Sequence, residues 1–163
     1  MEQMEQFVRP FVEVTTHTFK AFVGCDLSPR HPFFSDQEID LQSDISGVIG
    51  LSGSVRGAVI LLMKEPVALR IAGMLTGSTH TSLDGDVVDA IGEITNIIAG
   101  NAKQKIPDGE GIVISLPTVI KGAEHSIVCL SKQRKVLCIP FKVFEDDILY
   151  LEVAIEPESH SEM

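Results

Sequence analysis

Apolar residues recur along this chain with two different periods, and each change of period marks an element. Phe7–Val23 carries them at helical spacing, with Pro10 near the first turn, where a missing N–H is tolerated. Asp26–Pro32 breaks the pattern, and Phe33–Asp40 reads as extended. Ile45–Leu51 and Gly57–Met63 read as a hairpin around Ser52-Gly-Ser54. The second of these strands is a continuous apolar run, which predicts a central position in a sheet. Pro66 opens a short helix, Val67–Leu75, because its fixed φ suits a first helical position. Thr76–Leu83 is a loop. Strands are predicted again near Ile112–Val119, Ser126–Leu130, Val136–Phe144 and Ile148–Ile155, the last two joined by a turn at Glu145-Asp-Asp147.

The longest helical pattern lies between these two groups of strands, from Asp84 to Lys105. At roughly 100° per residue, Val87, Ala90, Ile91, Ile94, Ile97, Ile98 and Ala102 share one arc. That arc is the predicted core face. Asp89, Glu93, Asn96, Gly100 and Lys103 collect on the opposite arc, and Asn101 falls towards the apolar one. Asn101 is therefore expected to be buried or half-buried, with its hydrogen bonds satisfied. Ser82 or Asp84 can cap the helix, and Pro107-Asp-Gly109 stops it. Its local propensity is poor. Gly92 and Gly100 each cost about 1 kcal/mol relative to Ala, and Asn competes with the backbone for hydrogen bonds. A strong pattern on weak propensity points to a helix kept for packing or function. Glu93 and Asn96 stand three apart, so a carboxylate and a carboxamide are surface neighbours. Gly100, one turn on, leaves room for something to approach.

Composition narrows the class. The 163 residues, 44% of them hydrophobic, suit one domain with one core. Residues 1–155 are assigned to that domain and 156–163 to a disordered tail. The elements together predict an α/β (α+β) fold: a mostly antiparallel sheet against two long helices, with a short extra helix. The longest apolar run, Ala58–Met63, cannot span a bilayer, and the acidic start Met-Glu-Gln-Met-Glu-Gln does not read as a signal peptide. A cytoplasmic location is the expectation. A net charge of −10 with no basic stripe argues against nucleic acid and against an anionic membrane surface. If a turn centres on Gln133 and Arg134, Cys129 and Cys138 face each other across a hairpin, with Cβ atoms about 4.5–5.5 Å apart. In a reducing compartment they read as buried thiols. The five histidines are scattered and no Cys-x-x-Cys occurs, so no metal site is expected.

The run Asp89-x-x-x-Glu93-x-x-Asn96, continuing Ile-Ile-Ala-Gly100-Asn101-Ala-Lys103, resembles the signature helix of the CheC/CheX/FliY chemotaxis phosphatases. The hairpin Ser46–Met63 and the helix ending Ala72-Gly-Met-Leu-Thr-Gly77 resemble the segments that precede that motif in the family. CheC-like and FliY-like chains carry the motif twice. Here the first helix has Glu13 but Thr16 where the carboxamide would stand, so the chain looks CheX-like, with one site.

The resemblance implies hydrolysis of the phospho-aspartyl group of a CheY-like receiver. Asn96 would position the attacking water, and Glu93 would pair with the receiver's lysine. Asp89, Gly100 and Lys103 are the further candidates for contact with the partner. Asp89 also reads as a solubilising charge, and Lys103 as a solvated one. The enzyme would need no cofactor of its own, since Mg²⁺ belongs to the receiver. A homodimer through a sheet edge and a CheD-like regulator are further implications. The alternative is a non-catalytic receiver-binding sink or scaffold of the same fold.

Overall fold

The computed structural model describes residues 2–35, 41–126 and 135–156. Helix α1 spans Glu2–Thr18 and ends in a π-helical turn, Phe19–Val23. Gly24, at φ 85°, closes that turn by donating its N–H to the Phe19 carbonyl at 2.8 Å. Strands β1 (Leu27–Pro29) and β2 (Phe33–Ser35) follow, then the hairpin β3 (Ser43–Gly53) and β4 (Arg56–Met63). Helix α2 (Glu65–Thr76) leads to α3 (Gly85–Lys105). Strands β5 (Ile112–Ile114), β6 (Thr118–His125), β7 (Lys135–Val143) and β8 (Asp147–Glu156) complete the chain.

All strands join one antiparallel sheet in the order β1-β7-β8-β4-β3-β5, with β2 also on β7 and β6 also on β3. The register puts Gly47, Leu61, Leu151 and Ile139 in one row across the sheet. The three large residues of that row are fully buried under Ile91, Ile94 and Ile98 of α3 and Phe11 of α1. Each such side chain contributes roughly 1.5–3 kcal/mol by leaving water. The next row, Ile60, Glu152 and Cys138, faces the other side and is buried too. This places a carboxyl group in an apolar layer. Burial pushes Glu152 up to about 7, and the Cys138 thiol to about 12 through burial first and the neighbouring Glu152 second.

The sequence reading and the fold part in several places. Helix α1 begins five residues before Phe7, so Pro10 sits in its interior and not near its first turn. The segment read as a break after Gly24 contains β1, which pairs with β7. The strand predicted over Ile112–Val119 is two strands. Pro117 has no N–H to give a ladder, and Ser115 bridges the interruption. Its N–H donates to the Gly50 carbonyl at 2.9 Å, and its Oγ accepts from the Gly50 N–H at 2.8 Å. Strand β6 then covers residues read as a gap, because a strand exposed on both faces carries no alternation to detect. Glu156 belongs to β8 and not to a tail. The predicted strand Ser126–Leu130, with Cys129, lies almost wholly outside the described residues, as do 36–40 and 157–163. Cys25 and Cys138 are free and buried.

Candidate functional site

The N-terminus of α3 is fixed by Asp84, whose Oδ1 accepts from the Val87 N–H at 3.0 Å. That hydrogen bond is the main reason the Asp84 carboxyl titrates below its ordinary range, with His80 adding to it. His80 places Nδ1 at 3.6 Å from Asp84 Oδ2, and its Nε2 lies 2.8 Å from the Thr76 hydroxyl. His80, Asp84 and Asp86 thus form a cluster that the scattered histidines of the sequence did not suggest. Two of its three members already serve the cap and the α2 terminus.

The middle of α3 presses on β3. The Thr95 hydroxyl donates to the Ile91 carbonyl at 2.7 Å and lies where a Cβ on Gly47 would have to be. Only a glycine in β3 allows this approach. It rotates the buried arc of the helix towards Gly92, Thr95 and Ala99, which are all buried, and leaves Ile97 only half-buried. For the same reason Asn101, predicted to be buried or half-buried, is exposed.

That rotation sets the opposite face over β6. Val88, Asp89, Gly92, Glu93 and Asn96 line one wall of a groove, and Pro117 and Val119 line the other. The groove measures about 420 Å³. A Cβ on Gly92 would lie 3.1 Å from Val119 Cγ2 and 3.8 Å from Pro117 Cβ, so this glycine keeps the groove open. Asp89, Glu93 and Asn96 are exposed, and the side chains of the three make no hydrogen bond within the described residues. The groove presents two carboxylates and one carboxamide, with no cation in its lining.

Three of the five residues singled out in the sequence therefore meet in one groove. Gly100 and Lys103 lie further along the same side of α3. A Cβ on Gly100 would meet only Ile114 Cδ1, at an ordinary 3.8 Å, so the space attributed to Gly100 is provided by Gly92. Lys103 is half-buried in a separate cleft with Ser54, Gln104, Ile106 and the Asp108–Gly111 turn. In α1, Glu13 is exposed, while the Thr16 hydroxyl is enclosed without a partner among the described residues. Sequence reasoning missed Gly92 as the opening and Pro117 and Val119 as the far wall. Pro117, a proline inside an apolar strand pattern, was the one local signal for that wall.

Residues 45–142 match the family described as chemotaxis phosphatase CheX, a span that holds every residue of the groove. The CheY-P phosphatase CheX of Thermotoga maritima is 28% identical over 120 residues, covering 72% of this chain and 76% of that protein. The crystal structure of the chemotaxis protein CheX from Vibrio vulnificus is similar at a TM-score of 0.83 and 28% identity, over 92% of this chain and 99% of that one. A CheC-like superfamily protein from Shewanella sp. PV-4 gives 0.84 and 27%, over 93% and 97%. With the groove lying inside the matched span and the whole fold shared, the chain belongs to the CheX chemotaxis phosphatase family.

Proposed function

We propose that this chain hydrolyses the phospho-aspartyl group of a CheY-like receiver, with Asn96 holding the attacking water. The relative from Thermotoga maritima, named a CheY-P phosphatase, supports the substrate class. The observation that carries the reading is the groove itself: Glu93 and Asn96 line one open cleft, and their side chains are unengaged by the described residues.

The chemistry asks little of such a groove. The water oxygen bonds to phosphorus as the bond from phosphorus to the aspartyl oxygen breaks. The carboxylate leaves with the electron pair, inorganic phosphate departs, and the water's proton passes to the phosphate or to solvent. Because a carboxylate leaves readily, positioning and electrostatics are the main levers. A carboxamide can accept from the water while donating to a phosphoryl oxygen. Glu93 pairs with the receiver's lysine and sets the register of the two proteins. The receiver brings Mg²⁺ and that lysine, which accords with a groove lined by carboxylates and by no cation. The chain then uses no cofactor of its own.

Asp89, Gly100 and Lys103 share this side of α3 and face the partner in the same reading. A cytoplasmic setting, a CheD-like regulator and a homodimer with one Glu93/Asn96 pair per subunit belong to the same proposal. Strand β6, which pairs with β3 alone among the described strands, supplies a free edge for such a dimer; β7 and β8 have strands on both sides. Sedimentation at micromolar concentration would return a dimer, and a monomer would count against it.

The deciding experiment follows phosphoryl loss from a phosphorylated receiver with wild-type protein and with Asn96→Ala. The expected result is acceleration that disappears in the variant while binding survives. Binding without acceleration by the wild type would identify a sink or scaffold instead.

A further inference from the structure

We infer that Leu116 is an apolar anchor that grips the receiver beside the groove. The inference rests on the phosphatase reading and adds to it the surface that supplies affinity. At 87% exposure, Leu116 is the most exposed large apolar side chain among the described residues. Its backbone is nevertheless tied down. Ser115 exchanges two hydrogen bonds with Gly50 of β3, and its hydroxyl lies 2.9 Å from the Leu116 carbonyl. Pro117 follows with a fixed φ and packs at the mouth of Gly92. An apolar side chain held in water on an already ordered arm loses little backbone freedom when a partner covers it.

Its position says which partner. Pro117, the next residue, lines the groove together with Glu93 and Asn96. A folded protein that lowers a phosphorylated side chain into that groove extends over its rim, and Leu116 is joined directly to the rim residue Pro117. The groove's two carboxylates do not attract a phosphoryl group, and Glu93 offers the receiver's lysine a single ion pair, so further docking energy has to come from the surrounding surface. A free acyl phosphate is too small to bridge the groove and the arm. The occupant is a folded receiver that presents an apolar patch beside its phospho-aspartate.

The test measures both turnover and binding of a phosphorylated receiver, using wild type, Leu116→Asp and Val113→Asp. Val113 is a matched control. It is 59% exposed, and it alternates with Ile112 and Ile114, which pack into or against the core, so it faces away from them. Leu116→Asp is expected to raise KM and Kd roughly tenfold to a hundredfold, the scale of one buried leucine, with kcat and melting temperature unchanged. Val113→Asp should match the wild type in all four. A wild-type KM and Kd in Leu116→Asp would overturn the anchor, as would a loss of kcat alone. A change in self-association with Kd unaltered would also overturn it, by assigning Leu116 to a second copy of the chain. If the wild type binds without turnover, the phosphatase reading fails, and weaker binding by Leu116→Asp still supports the anchor. No binding by the wild type would defeat both.

Discussion

At the scale of single residues, Glu93 and Asn96 differ in what their loss should do. Asn96 would act on the water and the phosphoryl oxygens, where charge moves as the bond breaks. Its removal should therefore appear in kcat. Losing one preorganised donor of this kind costs roughly a hundredfold or more in rate. Asn96→Asp should be as inactive as Asn96→Ala, since a carboxylate cannot donate and adds a negative charge beside a phosphoryl group. Glu93 would act on the docked complex through a lysine. Glu93→Ala should appear mainly as a raised KM, with kcat at saturating receiver closer to wild type. Steady-state rates over a range of receiver concentrations separate these outcomes. If both variants lowered kcat alike with KM unchanged, the division of roles would be wrong.

At the scale of elements, the two glycines of α3 make opposite predictions. Each Gly→Ala change should gain up to about 1 kcal/mol of helix propensity. At Gly100 the new methyl meets only Ile114 Cδ1 at 3.8 Å. Gly100→Ala should raise stability in denaturant titration and leave kcat for receiver dephosphorylation intact, with any effect of the partner contact confined to KM. At Gly92 the methyl lies 3.1 Å from Val119 Cγ2, inside the groove. Gly92→Ala should keep the fold, because the end of a valine can shift, and should lose activity, because the groove narrows. Gly47→Ala, by contrast, drives a methyl into the Thr95 hydroxyl and should cost about 1–3 kcal/mol. These contrasts also show which elements could be read from the sequence. Helix α3 was legible because its period, its Asp84 cap and its stop at Pro107 are all local. So was the hairpin of β3 and β4. The far wall of the groove was not. Pro117 and Val119 reach α3 only because β6 pairs with β3 more than sixty residues earlier in the chain, and β6 has no buried face to give it a pattern. The contact of Thr95 with Gly47 is equally non-local. Without it the buried arc could not be placed, which is why Asn101 was put on the wrong side.

At the scale of the whole molecule, stability should carry a pH signature set on the sheet face away from α3. Glu152 lies between Cys138 and Ile60 in the cross-strand row and is 7% exposed. Burial raises its carboxyl from an ordinary 4.5 to about 7. Below pH 4.5 the folded and unfolded chains both hold this proton, so the group imposes no penalty. Between about 4.5 and 7 the unfolded chain releases the proton while the folded chain retains it. Unfolding is then favoured progressively more as pH rises, by about 3 kcal/mol across the window. Asp44 acts in the opposite sense. Its carboxylate accepts from the Glu65 N–H at 2.7 Å and the Glu124 N–H at 3.1 Å, which lowers its pKa and makes its contribution fade at acid pH. Stability should therefore peak in mildly acid solution and decline towards pH 8. Denaturant titrations of the wild type and of Glu152→Gln at half-unit steps from pH 4.5 to 8 test this. The variant keeps the volume but cannot ionise, so its curve should be flat where the wild type falls, and the two should converge towards pH 4.5. An identical slope in both would mean that Glu152 is already ionised in the folded sheet, and that the decline has another source.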